Sequence, residues 1–123
     1  TSAFSQHAAI AALEGPWDPV EAMVAAFRAR RDVIVTGLNR IPGVSCLQPQ
    51  GAFYAFPRVA DLGLPAAELA GALLERAGVA CLPGTAFGAY GEGYLRFSYA
   101  NSIPNIEAAL AAMEDLTAEV AQA

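Results

Sequence analysis

Tyr94-Leu95-Arg96-Phe97-Ser98-Tyr99 is a strand by composition, with aromatic and aliphatic side chains on both sides of a single cation. A guanidinium in the middle of a strand otherwise suited to a core needs a partner, because an unpaired buried charge is costly. Its planar fork matches a carboxylate bidentately. Two partners are open at this point. Arg96 either faces solvent or pairs with an Asp or Glu of the chain, or it holds the carboxylate of a ligand.

Outward from this strand the elements follow in both directions. Ser102 is the expected N-cap of a final helix over 103–120, with Pro104 in its first turn and Ile106, Leu110, Met113 and Leu116 inward. On the other side, Pro83-Gly84-Thr85 and Gly88, Gly91 and Gly93 make a tight surface connection, and Val79 to Leu82 is expected to be a strand that Pro83-Gly84 breaks. A helix from Pro65 to about Ala77 precedes it, burying Leu69, Leu73 and Leu74 and ending at Gly78. Val44–Leu47 and Ala52–Phe56, joined by Gln48-Pro49-Gln50-Gly51, suit an antiparallel hairpin.

A long helix over 18–40 carries Val20, Met23, Val24, Phe27, Ile34, Leu38 and Ile41 near a 3.6-residue period, with Arg28, Arg30, Arg31 and Asp32 as its wet face. Asp18 serves as N-cap in a box-like start with Pro19 and Glu21, and Pro42-Gly43 ends the helix. A short helix over 3–13 stops at Glu14-Gly15-Pro16. The order predicts an α+β two-layer sandwich, helices packed on one face of a small, mainly antiparallel sheet. Residues 17–123 form this domain. Residues 1–16 lack a partner in it and are assigned to a neighbouring domain or interface.

At 123 residues and 55% apolar the chain can bury one core. Its net charge of −5 and scattered charges give no basic face for nucleic acid. No apolar run reaches the ~20 residues that span a bilayer. The opening Thr1-Ser2-Ala3-Phe4-Ser5-Gln6 is no signal peptide, and it lacks an initiator methionine, as in a processed, trimmed or excised chain. Cys46 and Cys81 are expected to be reduced core thiols, which implies a cytoplasmic protein. His7 is the sole histidine, so a His-rich metal site is excluded, and no Ser or Cys has an evident His partner. The cations are seven arginines and no lysine, so a lysine Schiff base would have to come from elsewhere.

Four segments together resemble the C-terminal part of the aspartate-aminotransferase family, of fold type I. They are Phe27-Arg28-Ala29-Arg30-Arg31-Asp32 with Leu38-Asn39; Pro49-Gln50-Gly51-Ala52-Phe53-Tyr54; Leu74-Glu75-Arg76-Ala77-Gly78-Val79-Ala80 with Pro83-Gly84-Thr85-Ala86-Phe87-Gly88; and Leu95-Arg96-Phe97-Ser98-Tyr99-Ala100. The resemblance implies the small domain of a pyridoxal-phosphate-dependent aminotransferase, an enzyme that exchanges an amino group between an amino acid and a 2-oxo acid. It assigns the substrate α-carboxylate to Arg96. The Schiff-base lysine and most cofactor contacts lie upstream of Thr1 in such enzymes, so this stretch alone is expected to be inactive and to bind no cofactor covalently. Thr1 and Ser2 match a segment near the subunit interface that approaches a neighbouring subunit's cofactor, and a homodimer is implied for the whole enzyme. Lyases and decarboxylases of the same fold share the carboxylate arginine.

Two other readings remain open from the sequence: a free-standing regulatory module that binds amino acids through Arg96, and a purely structural domain. An uncovered apolar patch along the first two helices favours the enzyme domain, and a polar surface favours the module.

Overall fold

The computed structural model describes residues 1–120. Four helices, α1 (Ala3–Glu14), α2 (Asp18–Leu38), α3 (Ala66–Ala77) and α4 (Ile103–Val120), accompany three short strands, β1 (Tyr54–Ala55), β2 (Leu82–Pro83) and β3 (Leu95–Ser98). The sheet is antiparallel with order β1-β3-β2; Tyr54 pairs with Ser98, Ala55 with Phe97, Leu82 with Arg96 and Pro83 with Leu95. This is the expected α+β sandwich, with α2, α3 and α4 on the sheet's apolar side.

The core forms where each element's period brings apolar groups to one side. In α3, Ala66, Leu69, Ala70 and Leu73 are buried, a spacing of three, four and seven that defines one helical face. Leu74, expected inward, is exposed because it lies about 100° around the helix from Leu73. Fully burying Leu69 and Leu73 contributes about 1.5–3 kcal/mol each. Gly78 ends α3 at φ 67°, left-handed as expected, and Val79 N–H donates back to Leu73 O at 2.9 Å. Ile106, Met113 and Leu116 of α4 are buried, with Leu110 half-buried, and the Ser102 hydroxyl accepts from Asn105 N at 3.4 Å. Gly37 lets α2 approach α4, since a Cβ there would run into the Leu110 side chain.

Several local expectations need correction. Trp17 already has helical dihedrals, and Glu21 N–H donates to its carbonyl, so Asp18 is the first helical residue rather than the N-cap. No side chain caps this end; Asp18 and Glu21 act on the helix dipole instead. Val44–Leu47 is not a strand. Its one antiparallel bridge, Ser45 with Arg58, falls beyond the expected second segment, which pairs with β3 instead. Ala52, at φ 58°, cannot be extended, which delays β1 to Tyr54. Beyond it the chain follows β3: Leu95 N–H donates to Pro57 O and Val59 N–H to Gly93 O. The strand expected over 79–82 is displaced to Leu82–Pro83, and Pro83 takes part rather than breaking it. β2 is an edge strand, where a missing N–H costs no ladder bond.

Arg31 and Arg30 of the expected wet face are half-buried; Arg31 pairs with Asp32, and Arg30 Cζ lies 5.2 Å from the Phe27 ring centroid. In α2 the apolar face is split. Ile34 and Leu38 are buried, whereas Val20, Met23 and Val24 are exposed. α1 has no buried residue, and its Phe4, Ile10 and Leu13, with Trp17 beyond, are exposed as well. No described helix is long and apolar enough to cross a membrane. Both cysteines are free, Cys46 buried and Cys81 half-buried.

Candidate functional site

Strand alternation decides which side chains of β3 meet the core. Leu95 and Phe97 are buried with the helices' apolar groups, and Arg96 and Ser98 take the other face. Arg96 is therefore half-buried on the sheet face turned away from the core. The three ion pairs among the described residues use Arg31, Arg58 and Arg76, and Arg96 is in none of them. Of the two partners open from the sequence, an internal carboxylate is thus absent among the described residues.

Two rings meet the guanidinium instead. Arg96 Cζ lies 4.3 Å from the Tyr54 ring centroid and 4.2 Å from that of Phe87. Tyr54 comes from β1. Phe87 comes from a 3-10 turn, Gly84–Phe87, that follows β2. The turn folds tightly because Gly84 and Gly91 meet backbone to backbone; a Cβ on either would collide with the other's carbonyl oxygen. Phe56 extends the aromatic surface, stacked on Tyr94 at 5.4 Å and edge-on to Phe87 at 6.4 Å.

The loop ahead of β1 is tied down from β3's end. Tyr99 N–H donates to Phe53 O at 2.9 Å, and the Tyr99 hydroxyl donates to Ala52 O at 3.0 Å. Burial pushes the Tyr99 phenol up, so it remains a donor at neutral pH. A cleft of about 490 Å³ beside Tyr54 is bounded by Pro49, Phe56, Tyr94 and Arg58. Arg58 is engaged there by Asp61, whose carboxyl the guanidinium holds below its ordinary range. A second cleft, of about 430 Å³ between α2 and α4, has no titratable side chain in its wall and offers no charge chemistry.

Other nucleophiles and ligands find no support. Burial pushes the Cys81 thiol up to about 11 and raises Cys46 as well, so neither is a thiolate at neutral pH. No three His, Cys, Asp or Glu side chains cluster among the described residues. Thr1 and Ser2 are exposed at the start of α1, where the Ser2 hydroxyl accepts from Ser5 N at 3.3 Å as a helix cap. His7 is exposed on the same helix. Sequence reasoning singled out Arg96 but gave Tyr54 and Phe87 no role, although both stand in the quoted motifs. No local spacing links either ring to Arg96; only the strand order does.

The arrangement can bind a planar anion edge-on to the guanidinium. It cannot hold pyridoxal phosphate as a lysine Schiff base, because the chain contains no lysine.

Residues 1–113 match the family model described as aminotransferase class I and II. The chain is 44% identical over 103 residues to an aspartate aminotransferase of Pyrococcus horikoshii, covering 82% of this chain and 26% of that protein. It is 41% identical over 118 residues to aromatic-amino-acid aminotransferase 2 of Thermococcus litoralis, covering 94% and 30%. Among solved structures, an alanine aminotransferase from Pyrococcus furiosus superposes with a TM-score of 0.87 at 38% identity, covering 93% of this chain and 29% of that one. The chain thus spans under a third of the length of these relatives.

Proposed function

The chain belongs to the class I and II aminotransferases, and we propose that it acts within one as the domain that clamps the substrate α-carboxylate through Arg96. The observation that carries this reading is a guanidinium on the open sheet face with no carboxylate of its own among the described residues. The similar proteins are named for aspartate, aromatic amino acids and alanine. Acidic, aromatic and small side chains have little in common, but every such amino acid has an α-carboxylate beside the reacting carbon. The 2-oxo acid has it too, so one arginine serves both halves of an amino-group exchange. Holding that end by two parallel N–H···O bonds fixes the orientation of the reacting carbon.

The family's cofactor is pyridoxal phosphate, and its lysine is assigned to the part of the enzyme beyond this chain. The uncovered apolar side chains of Phe4, Leu13, Trp17 and Met23 support packing of residues 1–16 and the start of α2 on that part, with 17–123 as the small domain. A free-standing amino-acid-binding module would have no use for so many exposed large apolar side chains. On the same reading the whole enzyme is a cytoplasmic homodimer, with Thr1 and Ser2 near a neighbouring subunit's cofactor.

The test is Arg96→Ala and Arg96→Lys in the whole enzyme. Loss of a paired charge costs about 2–5 kcal/mol, so Arg96→Ala is expected to weaken amino-acid and 2-oxo-acid binding at least ~30-fold while the bound cofactor's absorbance is kept. Arg96→Lys retains the charge, loses the fork and falls between. Unchanged affinity for the amino acid in Arg96→Ala would sink the assignment.

A further inference from the structure

Arg96 stands on the central strand, and one ring reaches it from each flank of that strand: Tyr54 from β1, and Phe87 from the turn after β2. Neither ring is there to fill the core. Phe87 is 52% exposed and Tyr54 is half-buried, on the face opposite Leu95 and Phe97. Both are nevertheless braced. Phe56 lies edge-on to Phe87, and Tyr94 stacks behind Phe56. Phe53 lies 4.4 Å from Tyr54 and 6.2 Å from Phe27 of α2. Each ring is thus tied to a different part of the fold, and they meet at the guanidinium.

We propose that Tyr54 and Phe87 are positioning residues for carboxylate recognition, holding the Arg96 guanidinium by its faces while leaving its N–H edge free. The proposal rests on the reading of Arg96 as the carboxylate clamp. All five N–H donors of a guanidinium lie in its plane. A ring over the plane attracts the charge through its π face and uses none of those donors. An internal carboxylate would also fix the side chain, but it would occupy the fork that the substrate needs. The rings therefore meet two demands at once. They remove the rotamer freedom that a loose arginine would lose on binding. They also shed water from the charged faces, which strengthens an edge-on ion pair.

The experiment compares ring-removing and ring-keeping substitutions in the whole enzyme: Tyr54→Leu and Phe87→Leu against Tyr54→Phe and Phe87→Tyr. Each Leu variant is expected to raise KM for the amino acid and for the 2-oxo acid about 3- to 10-fold, with kcat at saturation within about twofold of the parent. The ring-keeping variants restore KM to near the parent value. In an Arg96→Ala background the Leu substitutions add little, because their effect runs through the arginine. Pentafluorophenylalanine at position 87 keeps the ring's shape and reverses the charge of its face, so it too raises KM, even if a Leu variant proves unstable. Leu and pentafluoro variants that bind both substrates like the parent, while Arg96→Ala loses binding, overturn the positioning role and leave the clamp intact. Parent-like binding by Arg96→Ala itself removes the clamp on which the proposal rests.

Discussion

Asn39 and Cys46 exchange two hydrogen bonds: Asn39 Nδ2 donates to Cys46 O, and Cys46 N–H donates to Asn39 Oδ1, each at 2.9 Å. The amide side chain thereby does for Cys46 what a neighbouring strand would do, presenting one donor and one acceptor side by side. Asn39 Nδ2 also donates to Val35 O at 2.9 Å, which ties this mimic to the last turn of α2. Residues 44–47 can thus stay irregular without leaving a buried backbone group unpaired.

Asn39→Ala is expected to lower stability by about 2 kcal/mol, since it strips the partners from both the N–H and the C=O of buried Cys46. Urea unfolding measures the loss. Hydrogen exchange at the Cys46 amide should accelerate in the same variant, and exchange at the parent rate would show that this amide finds its protection elsewhere.

Ala52 holds φ 58° in the loop just ahead of Tyr54. Left-handed geometry costs a residue with a Cβ about 1–2 kcal/mol, while glycine forfeits about 0.5–1 kcal/mol through a freer unfolded chain. Ala52→Gly should therefore raise stability by about 0.5–1 kcal/mol in thermal unfolding, with the Tyr99 hydroxyl bond to the residue-52 carbonyl retained. A destabilised variant would mean that the loop does not depend on this dihedral.

Cys81 should be nearly inert to alkylation in the folded protein. Its thiol is pushed from an ordinary 9.0 up to about 11 by burial. At pH 9 its thiolate fraction is then about fifty-fold below that of an unburied thiol. The fold favours the protonated form, so the stability it draws from this group is full below pH 9 and is lost as pH rises through about 11. Iodoacetamide labelling at pH 9, read by mass with and without urea, tests this directly. Equal rates in the two conditions would contradict it.

The helices were legible because their signals are local. The 3.6-residue period and Gly78 marked α3, and Ser102 with Ile106, Met113 and Leu116 marked α4. Leu74 and Asp18 show the limit, since one step of about 100° or one residue of helix start changes a side chain's role while composition stays the same. The candidate arginine was legible for a similar reason, as a cation inside a short strand is conspicuous whatever surrounds it. An N-terminal cap on α3 was not. Glu92, from the loop before β3, accepts from Ala66 N–H at 2.8 Å, and no sequence pattern joins those two positions.

By itself the sequence determined the helix periods, the strand around Arg96, the absence of lysine and the motifs of the family, because each is written in consecutive residues. Strand partners are a different matter. Hydrogen-bonded backbone carries no label of its own, so Ala52–Phe56 was matched to its neighbour in the chain and in fact pairs with β3. Only that long-range pairing brings Tyr54 to one side of Arg96, and only the pairing of β2 brings Phe87 to the other. What surrounds the arginine was decided by the tertiary structure, because strand order, and no spacing along the chain, sets which side chains share a sheet face.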